Sequence, residues 1–516
     1  MLQIDHLTMK AIGSGRVFLD DFSYTVRVNE RTVIIGEEGN GKSSLLKYMY
    51  DPSLIEGFMD CEGRRTVTKE ILGYLPQSVP EEDKSTPVYE WFGAQDGFYD
   101  MDASSLGSLA AEMGLSADFW YQDRSFGTLS GGEQIKAELA ALKMKKPTIY
   151  LLDEPSNNLD LDILAWLEKE IVRLPGAVLF VSHDVHLIDA CATGVIHMEQ
   201  LHRKNKPRVT IADTDYETYR AQRYAMMENQ REKAVSDAKK EKERRETLNH
   251  MYSAVDYALN HITRQDPHGA KMLKRKMKAV KSAEKRFDRE KQDMASLPEE
   301  EESIVIELHG KEVPAGKKIL ELKDYCLKTV DGNVLCPSLN FSVYGPQKIA
   351  IIGANGAGKS TLLRQLLTIL RASNVQIGYM PQNYAEVLSP DMTPVEFLAP
   401  HGDRESVTVA RSWLGSLRYT SEEMTHAVKE LSGGQQGKLL FLKMALENDE
   451  VLVLDEPTRN FSPLSQPVID AAIRNFAGVV ISVSHDRQYL SCVPDVIYKL
   501  DETGLVEYSG FNEEER

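Results

Sequence analysis

Four short motifs occur twice along the 516-residue chain, in the same order in each half. The first reads GEEGNGKS from Gly36 and GANGAGKS from Gly353, and both copies fit the pattern GxxxxGK[ST]. LSGGEQ, LDEP and VSHD follow in the first half, and LSGGQQ, LDEP and VSHD follow in the second. The last three motifs keep an offset of 302 residues, whereas the lysines of the first motif are 317 apart. This registration excludes chance and constrains the chain to two copies of one fold.

Buried strands are predicted ahead of three of the four motifs in each half, because β-branched and aliphatic residues dominate there. The runs are Arg31–Ile35, Thr148–Leu152, Val178–Val181, Lys348–Ile352, Val451–Leu454 and Val479–Val483. Helices are predicted to follow the Gly-rich loops, from Ser44 and from Thr361. The alternation of strands and helices predicts an α/β fold, with the chemistry at the carboxyl ends of parallel strands.

A Gly-rich loop in front of a helix forms a cradle of backbone N–H groups for phosphate. Lys42 and Lys359 are expected to reach the β- and γ-phosphates of ATP. The loop residues predicted to bind the nucleotide are Gly36, Gly39, Asn40, Gly41, Lys42, Ser43 and Ser44 in the first half, and Gly353, Asn355, Gly356, Ala357, Gly358, Lys359, Ser360 and Thr361 in the second. The sequence therefore predicts two phosphate sites.

Polar side chains around each loop fit Mg²⁺ binding and hydrolysis. The predicted metal ligands are Ser43, Asp153 and Gln77 in the first half, and Ser360, Asp455 and Gln382 in the second. Glu154 and Glu456 are placed to polarise the attacking water, and His183 and His485 to contact the γ-phosphate. Gln77 and Gln382 are expected to sense both the metal and the water. These six residues are the predicted catalytic set.

The LSGGEQ and LSGGQQ elements make both halves resemble ATP-binding cassettes of the ABC superfamily. In that superfamily two cassettes face each other head to tail. The resemblance implies that Ser130, Gly131 and Gly132 complete the site built on Lys359. It likewise implies that Ser432, Gly433 and Gly434 complete the site on Lys42. The expected cofactors are ATP and Mg²⁺, and the expected form is a monomer whose two cassettes pair within one chain.

A charged helical segment separates the two cassettes. Its apolar seam predicts two antiparallel helices, the second of roughly 25 residues, with a turn at residues 266–269. Residues 220–291 hold 20 Lys and Arg against 11 Asp and Glu, although the whole chain carries −17. The charged residues expected to bind RNA phosphates are Lys271, Lys274, Arg275, Lys276, Lys278 and Lys281. A basic segment on an acidic protein directs nucleic acid to one place.

Two fused cassettes with a long basic helical linker resemble the ABC-F family. We predict a first cassette at 1–212, a linker at 213–300 and a second cassette at 301–516. The resemblance implies an ATPase that binds the ribosomal E site, with its linker near the P-site tRNA and the peptidyl-transferase centre, where it contacts ribosomal RNA and tRNA. The family includes translation factors and antibiotic-resistance proteins, and the run from Thr458 to Ser465 resembles the resistance branch.

The alternative is the ATPase subunit of an ABC transporter with a separate membrane partner. The basic linker has no evident use in such a subunit. The apolar runs are far shorter than the roughly 20 residues that cross a bilayer, and the start of the chain does not read as a signal peptide. The five cysteines form no CxxC pair, which argues against a zinc module or an iron–sulfur cluster. These features predict a cytoplasmic protein.

Three departures from the family pattern concern the two ATP sites. Ser462 stands where the first cassette has Asp160, which puts equal hydrolysis at the two sites in doubt. Glu37 and Glu38 place two carboxylates in the first loop, where they would weaken phosphate binding if they pointed inward. No convincing aromatic residue precedes either loop to stack on adenine. Since Glu154 and Glu456 are both present, both sites are expected to be competent.

Overall fold

The computed structural model describes residues 1–157, 159–201, 206–261, 267–290, 307–329, 331–373, 375–417 and 419–508. It divides into two units. One unit joins Met1–Tyr216 with Glu301–Arg516, so that it contains both copies of the repeat, and the other is Glu217–Glu300. Contacts between the two cassettes therefore lie inside one unit.

The first cassette contains nine strands and seven helices within the described residues. The strands are β1 (Leu2–Ala11), β2 (Val17–Thr25), β3 (Arg31–Ile35), β4 (Met59–Val67), β5 (Leu72–Leu75), β6 (Ile149–Asp153), β7 (Ala177–Val181), β8 (Gly194–Gln200) and β9 (Lys206–Ala212). The helices are α1 (Lys42–Tyr50), α2 (Glu81–Lys84), α3 (Val88–Gly93), α4 (Ala103–Met113), α5 (Gly131–Met144), α6 (Leu161–Arg173) and α7 (Val185–Cys191).

The linker and the second cassette follow in chain order. The linker helices are α8 (Tyr216–His261) and α9 (Pro267–Glu290). The strands are β10 (Lys318–Lys328), β11 (Val334–Tyr344), β12 (Lys348–Ile352), β13 (Ile377–Met380), β14 (Val451–Asp455), β15 (Val479–Val483), β16 (Val496–Asp501) and β17 (Gly504–Glu507). The helices are α10 (Lys359–Ala372), α11 (Pro394–Leu398), α12 (Arg404–Ser416), α13 (Gly433–Leu446), α14 (Gln466–Arg474) and α15 (Arg487–Cys492).

The two cassettes share one sheet topology. Strand order is β5-β6-β7-β3-β8-β9 in the first and β13-β14-β15-β12-β16-β17 in the second. Strands pair in parallel except at one edge, where β9 and β17 run antiparallel to their neighbours. Every residue of β6, β7, β14 and β15 is buried, as expected of central parallel strands. The predicted α/β fold with two phosphate-loop domains and a long helical linker is confirmed.

An added strand explains most of the unequal motif spacing. Lys42 and Gln77 are 35 residues apart, whereas Lys359 and Gln382 are 23 apart. In the first cassette this interval contains β4, which pairs with β1 to make a three-stranded sheet of order β2-β1-β4. The matching sheet of the second cassette joins β10 and β11. The insertion therefore enlarges a side sheet and leaves the central sheet unchanged.

The linker unit is built from two long helices. Helix α8 has 46 residues and α9 has 24, or about 70 Å and 36 Å at 1.5 Å per residue. The predicted turn at residues 266–269 is wrong for its last three residues, because α9 already begins at Pro267, a position that tolerates proline in a helix. Residues 262–266 lie outside the described part. Within the described residues, no helix combines the length and apolar character needed to cross a membrane.

Candidate functional site

The phosphate loops end at helices whose first turns can accept an anion. Helix α1 begins behind Gly41 and α10 behind Gly358, two residues earlier than the sequence predicted. Both glycines adopt the left-handed conformation, with φ of 86° and 98°. Among the described residues, no side chain caps either helix. Phosphate oxygens fit these uncapped N–H groups.

The loop lysines are buried in equivalent positions. Nζ of Lys42 donates to the carbonyl oxygens of Gly36 at 2.7 Å and Glu37 at 3.0 Å. Lys359 makes the same two bonds in the second loop, at 2.7 and 2.9 Å. Burial lowers the pKa of Lys359. Each loop therefore holds an amine at its centre, where a phosphate can replace the carbonyl contacts.

Each loop serine contacts the aspartate at the end of a central strand. Oγ of Ser43 donates to Oδ1 of Asp153 at 2.8 Å, and Ser360 is close enough to Asp455 to lower the pKa of that carboxyl. Burial raises the pKa of both aspartates. A hydroxyl beside a carboxylate is a donor set that fits Mg²⁺, and cation binding would restore the ionised carboxylate. The residues therefore fit a magnesium–nucleotide complex.

The two glutamates that follow these aspartates have strained backbones. Glu154 has φ of 51° and Glu456 has φ of 52°, which lie in a backbone region that residues other than glycine rarely adopt. Their backbone N–H groups donate to Val181 at 3.0 Å and to Val483 at 2.9 Å, which anchors each residue to the neighbouring strand. Such strain persists where the surroundings fix it, as these two backbone hydrogen bonds do.

In the first cassette the glutamate pairs with the predicted histidine. Nε2 of His183 lies 3.0 Å from Oε1 of Glu154. Burial opposes ionisation of this carboxyl, but the charge and hydrogen bond of His183 outweigh burial, so the pKa of Glu154 is lowered. Nδ1 of His183 donates to the carbonyl oxygen of Phe461 in the second cassette at 2.8 Å. One imidazole thus joins the first glutamate to the opposite cassette.

The same pair is separated in the second cassette. Nε2 of His485 lies 3.9 Å from Oε1 of Glu456. Burial, helped by the charge of Asp455, raises the pKa of Glu456 to about 8. Burial and the charge of Lys359 lower the pKa of His485 to about 4. Neither ring nitrogen of His485 has a hydrogen-bond partner among the described residues. The second site therefore holds a neutral glutamic acid beside a neutral imidazole.

A cavity of about 620 Å³ lies at the second site and is lined by both cassettes. The second cassette contributes Lys359, Asp455 and Glu456, and the first contributes Gly131 and His183. Other predicted residues in its lining are Asn355, Gly356, Gly358, Ser360, Thr361, Gln382 and His485. The sequence placed these residues in two separate cassettes, and the structure brings them together.

Both LSGG motifs form helix N-termini. Ser130 caps α5 through a reciprocal pair of hydrogen bonds with Glu133, and Ser432 caps α13 through the same arrangement with Gln435. Ser130 and Gly132 also line a second cavity of about 380 Å³, together with Ala354 and Asn355 of the second phosphate loop. The first LSGG motif therefore faces the second phosphate loop.

The first phosphate loop touches the second LSGG motif directly. The backbone N–H of Gly434 donates to Oε2 of Glu38. A β-carbon added at Gly39 would lie 3.8 Å from the β-carbon of Ser432, and a β-carbon added at Gly433 would lie 2.9 Å from Oε2 of Glu38. In the second phosphate loop, by contrast, a β-carbon added at Gly356 would meet no atom within 4 Å. The two composite sites therefore differ, because the first is closed by protein contacts and the second encloses a cavity.

Several of the predicted nucleotide and metal ligands have surroundings that differ from those of the loop lysines. Gln77 and Gln382 are exposed, and Gln382 lines the larger cavity. Asn40 is buried and donates to the carbonyl oxygen of Met198 in β8 at 3.1 Å, so its side chain anchors the loop. Ser44 lies in the first turn of α1. Ala357 is half-buried in the second loop.

The prediction that no convincing aromatic residue precedes either loop is wrong for the first loop. Phe18 in β2 lies against Gly41, where an added β-carbon would meet the ring at 3.3 Å. The guanidinium of Arg16 stacks over this ring at 4.7 Å. The equivalent residue before the second loop is Leu335, which lines the larger cavity. Counting 18 residues back from the first glycine of each loop would have found both positions.

The basic linker residues lie on the outside of α9. Leu273, Met277, Val280 and Phe287 form its half-buried seam. The six predicted RNA-binding residues are all exposed, namely Lys271, Lys274, Arg275, Lys276, Lys278 and Lys281. The guanidinium of Arg244 in α8 lies 5.6 Å from the Phe287 ring, so the two helices contact each other. The exposed cations are therefore available to an anionic surface.

Comparison with known proteins agrees with this arrangement. The ABC transporter family model matches residues 19–157 and 336–459. ABC transporter F family member 2 of Arabidopsis thaliana is 26% identical, over 96% of this chain and 76% of its own length. ATP-binding protein Uup of Escherichia coli is 26% identical, over 92% of this chain and 77% of its own length. Each match covers more than nine-tenths of this chain, and therefore spans parts of both cassettes and the segment between them.

Solved structures share the fold. The archaeal ribosome recycling factor aABCE1, crystallised with the ribosomal stalk protein aP1, superposes with a TM-score of 0.57. The two chains are 17% identical, and the match covers 97% of this chain and 90% of the other. The duplicated motifs and the family matches confirm the resemblance to ABC-F proteins, and the chain belongs to the ABC transporter family.

Proposed function

We propose that this protein is an ATPase that hydrolyses ATP to ADP and phosphate between its two cassettes. The observation that carries the proposal is the cavity of about 620 Å³, which has phosphate-loop residues on one wall and the opposite LSGG glycine Gly131 on the other. A ligand held by both walls would tie the cassettes together, and its cleavage would release them. ATP with Mg²⁺ fits the uncapped helix N-terminus, the buried lysine and the serine–aspartate pair.

Each residue of the second site has a distinct role in this proposal. Lys359 and the N–H groups of α10 would hold the β- and γ-phosphates, and Ser360 with Asp455 would hold the metal. Bound Mg²⁺ supplies neutralisation of the phosphate charge. Glu456 would orient the attacking water once ionised, because it lines the cavity beside Lys359 and Asp455. His485 would stand beside the γ-phosphate.

The proposed partner is the ribosome. The exposed cations of α9 suit the phosphate backbone of ribosomal RNA and tRNA. The acidic remainder of the chain would discourage binding of RNA elsewhere. By its resemblance to ABC-F proteins, the chain would bind the E site with its linker near the P-site tRNA and the peptidyl-transferase centre, in the cytoplasm. Its role there would be that of a translation factor or of a resistance protein that protects the ribosome from drugs.

ATP turnover of the purified chain tests the enzymatic part of this proposal. Lys359→Ala removes the central amine of the second loop and should reduce turnover by about 100-fold or more. Lys328→Ala, at an exposed position of β10, is a matched control that should leave turnover unchanged. Equal turnover in all three proteins would contradict the proposed site. A transporter subunit would hydrolyse ATP as well, so a measurement of ribosome binding is needed to distinguish the two functions.

A further inference from the structure

We propose that Glu37 and Glu38 determine what the first site accepts, because their carboxylates take the position that a γ-phosphate would occupy opposite the second LSGG motif. These two residues form an acid latch with Gly434, Lys438 and Ser465 of the second cassette. The inference rests on the proposed ATPase function, in which each nucleotide would be held between a phosphate loop and the opposite LSGG motif.

Glu38 binds the group that would otherwise hold phosphate. Gly434 lies in the first turn of α13, and its backbone N–H donates to Oε2 of Glu38. A carboxylate oxygen and a phosphate oxygen are equivalent anionic acceptors for such an N–H group. Since this N–H is engaged by Glu38, a triphosphate can reach it only after the glutamate has moved. Glu38 of the first phosphate loop therefore competes with the phosphate that this loop would bind.

Glu37 adds an ion pair and a hydrogen bond across the same interface. Its Oε2 lies 3.0 Å from Nζ of Lys438, and Oγ of Ser465 donates to its Oε1 at 2.8 Å. Both charged side chains are almost buried, at 11% and 12% exposure. Burial alone would raise the pKa of Glu37, but Lys438 and Ser465 outweigh it and the pKa is lowered. While the interface stays closed, either charge without the other would be buried and uncompensated, so Glu37 and Lys438 remain paired.

The latch explains the serine that replaces aspartate in the second cassette. Oγ of Ser462 donates to Oγ of Ser465 at 3.1 Å, and Ser465 in turn donates to Glu37. An aspartate at 462 would put a second carboxylate at the end of this chain, next to an ionised one. Like charges at that separation repel in a buried site. Ser462 is therefore compatible with Glu37, whereas Asp160 of the first cassette borders a cavity with Ala354, the residue that replaces Glu37 in the second loop.

The second site has a lysine equivalent to Lys438, but its phosphate loop has no equivalents of Glu37 and Glu38. Ala354 and Asn355 stand where the first loop has Glu37 and Glu38, and both are exposed. Lys136 and Ile163 stand where the second cassette has Lys438 and Ser465. These four residues border the cavity of about 380 Å³. Among the described residues of the second loop, no carboxylate spans this cavity to the LSGG motif, as Glu38 spans the first interface.

As a consequence, only one ATP per chain would span from a phosphate loop to the opposite LSGG motif. The first interface is held closed by carboxylates without a nucleotide, and the second closes only when ATP bridges it. The latch thereby keeps one edge of the cassette pair together while the other edge opens and closes.

Titration calorimetry with Mg-ATP tests this inference in the full-length Glu456→Gln protein, in which turnover is suppressed. We expect one tightly bound ATP per chain. Adding Glu37→Ala with Glu38→Asn, which copies the second loop, should raise this number to two and strengthen first-site binding by about tenfold or more. The matched control adds Glu81→Ala with Glu82→Asn, which alters an exposed acidic pair, and it should still bind one ATP per chain.

Two equal ATP sites in the Glu456→Gln protein would overturn the inference. So would a single ATP site in the latch variant, provided that its Tm shows an intact fold. If the latch variant does not fold, Ala354→Glu with Asn355→Glu in the second loop gives the reverse test, since it should abolish tight ATP binding and an unaltered affinity would overturn the inference. If none of the folded proteins binds ATP, the proposed function fails, and this inference fails with it.

Discussion

Nε2 of His183 lies 3.0 Å from Oε1 of Glu154 in the first cassette, and the same histidine donates through Nδ1 to the backbone of the second cassette. The equivalent atoms of His485 and Glu456 are 3.9 Å apart. Identical residue types thus form a close pair with a lowered glutamate pKa in the first site, and a separated pair with a raised glutamate pKa in the second. The strands and the strained glutamates match in the two cassettes, whereas the contacts across the interface differ, since the ring of His183 reaches Phe461 and the ring of His485 has no such contact among the described residues.

The two glutamates should therefore contribute unequally to ATP turnover. Glu456→Gln removes the carboxylate of the site that encloses the cavity, and turnover should decrease by about 100-fold or more. Glu154→Gln alters the latched site and should leave turnover within about twofold of the parent. Steady-state phosphate release from both variants measures this difference. An equal loss in the two variants would contradict the inequality of the sites.

A buried carboxyl outside the ATP sites should make stability depend on pH. Burial and the charge of Asp486 raise the pKa of Asp470 to about 8, although a weak contact with Cys492 opposes this. The folded chain then holds a proton that the unfolded chain releases above pH about 4. The stabilisation is complete below that pH and is lost as pH rises through about 8.

Asp470→Asn keeps this position neutral at every pH. Its Tm should therefore exceed that of the parent by a few degrees near pH 9, and the excess should disappear near pH 4. Differential scanning calorimetry from pH 4 to pH 9 gives the comparison. Asp100→Asn, at an exposed position, is the control and should follow the parent throughout. A constant Tm difference across this range would refute the assignment.

The second site should bind the nucleobase weakly, and an aromatic substitution should strengthen this binding. Leu335 lies at the cavity wall where the first cassette has Phe18. An aromatic ring stacks on a nucleobase more strongly than an aliphatic side chain does. Leu335→Phe should tighten ATP binding by about fivefold or more, as measured by titration of the Glu456→Gln protein. Leu335→Met is the control that changes shape without adding a ring, and equal affinities in both variants would argue against stacking at this position.

The linker cations should supply a salt-sensitive part of ribosome binding. We expect weaker binding, and a smaller decrease in affinity with added salt, after four substitutions by glutamine, at Lys274, Arg275, Lys276 and Lys278. Co-sedimentation over a range of salt concentrations measures both quantities. The matched control replaces four exposed lysines of the cassettes by glutamine, at Lys69, Lys323, Lys328 and Lys499. If the linker variant binds with unchanged affinity, these cations form only a solvated surface.

Much of the fold could be predicted from the repeated motifs. The strand before each loop was predicted with its observed ends, at Arg31–Ile35 and Lys348–Ile352. This succeeded because buried parallel strands require continuous apolar runs, and such runs are visible in one sequence. The start of α9 was misplaced, because a proline in the first turn of a helix looks the same in sequence as a proline in a loop.

The difference between the two sites could not be predicted in full. The sequence shows two acids in the first loop and a serine at 462, but it does not show that Glu37 reaches Lys438 and Ser465, more than 400 residues away along the chain. Such pairing depends on how two folded cassettes meet. The same limit applies to His183, whose contact with Phe461 also crosses between the cassettes.

Sedimentation of the ATP-trapped protein with ribosomes shows whether the closed cassette pair binds the ribosome. Glu154→Gln combined with Glu456→Gln should hold ATP without cleaving it, so the cassettes should remain closed. We predict that this protein pellets with purified ribosomes through a sucrose cushion when Mg-ATP is present and stays in the supernatant without nucleotide. Retention in the supernatant with ribosomes and Mg-ATP, together with partition into membrane vesicles, would contradict the account and favour a transporter subunit.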